Sequence, residues 1–126
     1  MLRRAFVAIS GAALLPAASK RTALFNGKDL NGWTHYLWDP KTKTQDTATP
    51  MSSVWSVKDG VLHCAGKPPG YLKTLREFSD YRLSVEWRWP ADISRGNNGV
   101  LVHTTTPNAL GVWPKCIEVQ LFTGDA

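Results

Sequence analysis

The chain has 126 residues, room for one domain, and its 43% apolar content with six Trp argues for a packed core rather than a disordered tail. Fifteen Lys and Arg against ten Asp and Glu give a formal charge of +5, and without Arg3 and Arg4 the balance is 13 against 10, or +3. The surplus is scattered, its densest stretch being Lys41 to Lys43, so the clustered stripe of a phosphate-binding surface is absent and nucleic acid is not an expected partner.

Residues 1–19, MLRRAFVAISGAALLPAAS, join a basic start to an apolar run from Ala5 to Leu15 and to small residues at Ala17 and Ser19, spaced as a signal peptidase reads them. The expectation is an export signal cleaved near Ser19, a periplasmic or secreted domain over residues 20–126, and no stable membrane anchor after processing. Eleven residues from Ala5 to Leu15 are too few to span a bilayer as a helix. An anchor or a buried helix are the other readings of this run, and the Arg-Arg pair also suits twin-arginine export. Cys64 and Cys116 allow one intrachain disulfide in an oxidising compartment, or two unpaired thiols.

In LFNGKDLNGW, two Asn-Gly pairs predict tight turns around a short apolar step. Residues 39–53, rich in Thr, Lys, Pro and Ser without periodicity, predict a long exposed loop. Val54 to Val57, the turn Lys58 to Gly60 and Val61 to Gly66 predict a hairpin, and Tyr71 to Leu75 a further strand. The clearest alternation is YRLSVEWRW, where Tyr81, Leu83, Val85, Trp87 and Trp89 share one face and Arg82, Ser84, Glu86 and Arg88 the other. RGNNG, Arg95 to Gly99, predicts a turn whose glycines and asparagines take the left-handed region. The following strand sends Val100 and Val102 to the core and Leu101 and His103 to the opposite face; in CIEVQLF, Ile117, Val119 and Leu121 oppose Cys116, Glu118, Gln120 and Phe122. No stretch after the leader has sustained helical spacing, so the fold class is all-β, an antiparallel β-sandwich.

The motifs LFNGKDLNGW, WSVKDGVL, FSDYRLSVEWRW, GNNGVLVH and IEVQL, in this order and spacing from about Leu24 to the end, resemble the 3-keto-disaccharide hydrolase domain family. The resemblance implies a concanavalin A-like jelly roll exported by bacteria and acting on sugars oxidised to a ketone at C3. It implies a hydrolase or lyase that breaks 3-keto-glycosides by elimination and, in some members, hydrates the resulting glycal. The family's domain continues beyond its E-x-Q strand, whereas this chain stops at Ala126, so the implied jelly roll is short of its last strands. The family also often has Asn-Ser-Gly where Asn97, Asn98 and Gly99 stand, and Arg where His103 stands.

On the strand reading, Glu86, Arg88, His103, Glu118 and Gln120 project from the face opposite the apolar side chains. A groove there, edged by Trp113, suits an oligosaccharide or glycoside, because aromatic faces stack on C–H surfaces while amides and carboxylates bind hydroxyls, and Asn97 and Asn98 are candidate sugar ligands from the turn. Elimination needs a base for the C2 proton, an electrophile for the enolate and an acid for the leaving oxygen. Glu118 is the candidate base or metal ligand, His103 the acid, base or ligand, and Arg88 the partner of the enolate oxygen. A divalent metal is a candidate cofactor for which one Glu and one His form a partial ligand set, although His35, His63 and His103 lack metal-ligand spacing. Glu86 and Arg88 also read as a solvated cross-strand pair, Glu118 and Gln120 as a solvated face, His103 as a strand-end residue, Trp113 as a loop anchor, and Asn97 and Asn98 as turn formers. A non-catalytic carbohydrate-binding module and an interaction domain of a larger envelope assembly are the alternative functions.

Overall fold

The structure is a computed structural model that describes residues 21–124, so the expected leader lies outside the described residues. Seven strands follow in chain order: β1 Trp33–Asp39, β2 Thr44–Asp46, β3 Trp55–Lys58, β4 Val61–Cys64, β5 Gly70–Thr74, β6 Gly96–Val102 and β7 Ile117–Thr123. They pair antiparallel throughout, as β2-β1-β5, β3-β4 and β6-β7. Apart from one 3-10 turn, Met51–Ser53, the described residues hold no helical element, which is the all-β composition of a jelly-roll-like sandwich. Among them no helix is long and apolar enough to cross a membrane.

The two Asn-Gly turns form as the sequence predicts, with Gly27 and Gly32 at positive φ. Asn26 Oδ1 accepts the backbone N–H of Lys28 and Asp29, and the Asp29 carboxylate in turn accepts the Asn31 N–H at 3.0 Å and the Asn26 amide at 2.7 Å. These donors hold the Asp29 carboxyl below the usual aspartate range, the Asn31 N–H contributing most. Asp39, capped chiefly by the Lys41 N–H, and Asp46, capped by the Thr49 hydroxyl and N–H, are lowered in the same way. A carboxyl whose folded value is depressed stabilises the fold fully above its unfolded value, about 3.9, and that contribution is lost as pH falls through the lower folded value. Carboxyl NMR titration is therefore expected to place all three midpoints below the unfolded value, with the Lys28, Asp29 and Asn31 amides moving alongside Asp29. A midpoint for Asp29 at or above the ordinary value would show the turn to be open.

β3 and β4 meet through a two-residue loop, with Lys58 opposite Val61 and with Asp59 and Gly60 both at positive φ, the backbone that matches the twist of paired strands. Along β1, Trp33, His35 and Leu37 alternate with Thr34, Tyr36 and Trp38. The first set faces the core, where Leu37, 0% exposed, packs with Val54 at 3% and Trp55 at 6%, backed by Leu30, Met51, Leu62 and Leu72. On the other face Tyr36 and Tyr71, directly paired across the strands, stack with centroids 5.4 Å apart. Burial between these rings raises the Tyr71 hydroxyl above its ordinary value, helped by Tyr36 and the Cys116 thiol. Both cysteines are free thiols, Cys64 exposed and Cys116 half-buried.

Four sequence expectations are corrected here. Residues 39–53 are not all loop, since they hold β2 and the 3-10 turn. Residues 81–89 form no ladder: alternation states which side chains share a face, whereas a strand also needs a neighbour at hydrogen-bonding distance, and none of the seven pairs with this segment. Tyr81, Leu83, Val85 and Trp87 accordingly remain exposed, and Trp89 is half-buried, against Gly96 and edge-on to Trp87 at 5.6 Å. RGNNG is not a turn. The chain turns over residues 91–95, ending on Arg95, and Gly96, Asn97, Asn98 and Gly99 are the first four residues of β6, none at positive φ. Finally, β6 ends at Val102, and His103 has φ 53°, so the period-two alternation does not extend to it.

Candidate functional site

The β6-β7 pair is in register from Gly96 opposite Thr123 to Val102 opposite Ile117. Directly opposed residues share a face, so Asn97, Gly99 and Leu101 stand with Phe122, Gln120 and Glu118, and Asn98, Val100 and Val102 stand with Leu121, Val119 and Ile117. The division into faces is the one the sequence predicts. The apolar face is not sealed, however: Ile117 is 60% and Val119 56% exposed, because a two-stranded ribbon buries a face only against a second layer.

On the first face Gln120 Nε2 donates to Asn97 Oδ1 at 2.6 Å and to the Asn98 carbonyl at 3.1 Å, tying the two strands through an amide pair. Glu118 is exposed, with its carboxylate lying against the Cα of Gly99. Phe122, also exposed, completes the face with aromatic surface. Glu118 and Gln120 thus share a face as the alternation predicts, and β6 brings Asn97 to it, a residue the sequence places in a turn. Asn98 lies on the opposite face, where its side-chain oxygen accepts the Gly99 N–H at 2.8 Å while its carbonyl still serves Gln120.

The remaining candidates sit elsewhere. His103, just past the end of β6, stacks on Tyr81 with centroids 6.1 Å apart. Glu86 and Arg88 are exposed in the unpaired 81–89 segment, and none of the hydrogen bonds described joins them to the Glu118 face. Trp113 is exposed in the 103–116 connection, bridged to Leu110 and followed by the Lys115 N–H bond to Thr106, with Val112 buried beneath. That connection also roofs a separate cleft of about 320 Å³ on the Tyr36–Tyr71 face, with Pro107 over Thr34, Gln45 and Lys73.

Among the described residues no three of His, Cys, Asp and Glu come together, and Glu118 and His103 do not meet as the partial ligand set the sequence suggests. Sequence reasoning missed Gly99 and Phe122. Phe122 was legible as an aromatic residue on the polar face of an alternating strand. Gly99 was hidden by its neighbours, since Gly beside Asn reads as a turn.

Among known families, the model of the 3-keto-alpha-glucoside-1,2-lyase-like domain matches residues 20–126. No curated protein and no solved structure matches the chain. With all but the first nineteen residues inside that match, the chain belongs to the 3-keto-alpha-glucoside-1,2-lyase-like domain family.

Proposed function

We propose that this domain acts outside the cytoplasm on 3-keto-glycosides, cleaving them by elimination with Glu118 as the base. The observation that carries the reading is the exposed Glu118 carboxylate on a face shared with the bonded Asn97–Gln120 amides and with Phe122. The C3 ketone acidifies the C2 proton. Glu118 takes that proton, the C1–C2 double bond forms, the bond from C1 to the leaving oxygen breaks, and that oxygen collects a proton. His103 is the proposed donor of this proton and Arg88 the proposed partner of the enolate oxygen, each reaching the sugar from its own segment. Asn97, Gln120 and Glu86 bind hydroxyls, while Phe122 and Trp113 offer stacking surface; Asn98 contributes only through its carbonyl, which holds Gln120.

The amide pair alone would also serve a non-catalytic sugar-binding module, and one experiment separates the two. A 3-keto-glucoside deuterated at C2 is expected to lose its label to solvent and release its leaving group in the presence of the chain. Binding with the label retained and the glycosidic bond intact would establish the binding module instead.

Export follows from the leader, and the expected cleavage near Ser19 is read by intact mass. Exported protein still beginning at Met1 would overturn it.

A further inference from the structure

The glycine at position 99 has no conformational reason to be there. It sits inside β6, and its φ lies outside the left-handed region, so an L side chain fits the backbone. What is short is space. A Cβ built on Gly99 collides with the Glu118 carboxyl, and its three nearest atoms are Oε1, Cδ and Cγ of that one side chain. The register explains the encounter. Glu118 is opposite Leu101 and Gly99 opposite Gln120, so the carboxylate reaches diagonally across the ladder into the gap that the missing side chain leaves. Along β6 that gap is bounded by Leu101 on one side and by Asn97, fixed by its 2.6 Å bond to Gln120, on the other.

We propose that Gly99 is a positioning residue for Glu118: its lack of a side chain opens the lane in which the carboxylate lies, and the Asn97–Gln120 bond closes one side of that lane. The proposal rests on the reading of Glu118 as the base. The obstructing atoms are the far end of a flexible, exposed side chain, so alanine at 99 pushes the carboxylate aside at little cost to stability while displacing it on the scale of an ångström, a misplacement that costs about a hundredfold in rate. Gly96 is the structural contrast, because a Cβ there meets the rigid ring of Trp89 at 2.6 Å.

The test is Gly99→Ala in the full chain, read in three ways. With a 3-keto-glucoside, kcat is expected to fall about tenfold to a hundredfold while KM holds. The melting temperature is expected to stay within a degree or two of the parent. The Glu118 carboxyl carbon resonance is expected to move, and this last readout requires no turnover. An unchanged Glu118 resonance, or a fall in melting temperature with kcat intact, overturns the positioning role. If the parent chain turns over no 3-keto-glycoside, the lyase reading falls by itself, and the Glu118 resonance still decides whether Gly99 sets the carboxylate.

Discussion

Glu118→Gln is expected to lower kcat on a 3-keto-glycoside by about a hundredfold or more, the usual contribution of a positioned general base, while leaving the β6-β7 pair intact. Glutamine keeps the length and shape of the side chain and replaces the basic carboxylate with an uncharged amide that cannot take the proton. The substitution costs little in the fold, because Glu118 is exposed and makes no bond that a glutamine would break among the described residues. Circular dichroism and melting temperature should therefore match the parent, and the loss should fall on kcat rather than on KM, since the base acts in the transition state and not in binding the sugar. Retention of C2 deuterium in the variant, against exchange in the parent, gives the same answer without a product assay. Near-normal turnover would return Glu118 to the role of a solvated strand residue.

The largest loss of stability is expected from Leu37→Ala. Leu37 is fully buried at the centre of the cluster with Val54 and Trp55, where β1 meets the β3-β4 hairpin. Removing its three outer carbons forfeits transfer energy and leaves a cavity that Trp55, a rigid ring, fills poorly, for about 2–5 kcal/mol. Few side chains are as deeply buried, so little other packing compensates, and against a typical domain stability of about 5–15 kcal/mol this is a large share. Denaturant unfolding should show a lower midpoint at unchanged slope. A loss under about 1 kcal/mol would mean that the cluster does not hold the sheets together.

How far the sequence could be read depended on the kind of signal each residue carries. Asp59 and Gly60 announce their hairpin because a two-residue loop demands positive φ at both positions and few residue pairs supply it. The faces of β7 were legible from Ile117 to Phe122 because alternation in a strand is a local property of the backbone. Residues 81–89 carry the same alternation and yet form no ladder, since pairing depends on a partner that no local pattern specifies. The two glycines of β6 misled for a different reason. Glycine serves either to reach φ values that other residues avoid or to let another group come close, and composition does not distinguish these uses. At Gly96 and Gly99 the second use holds, for Trp89 and Glu118 respectively. His103 was assigned to the Glu118 face by extending the alternation one residue too far, past the point where its φ turns positive. The candidate site was therefore legible where alternation within one strand builds it, in Glu118 and Gln120, and not at Asn97, which reads as a turn residue, nor where separate segments would have to converge.

The tight loop at Asp59–Gly60 also sets a timetable. β3 and β4 close on each other across two residues, an event of about 1–10 μs, and need nothing else in place to begin. β1 finds β5 only after the whole stretch between Leu37 and Gly70 has been looped out, and that stretch contains the hairpin itself. Each residue in the loop adds to the entropy that closure must overcome, but a preformed β3-β4 hairpin shortens the loose chain and brings Trp55 to the place where Leu37 must be buried. Two residues with left-handed backbones thus favour an order of assembly in which the hairpin closes early and offers a surface to the longer-range sheet.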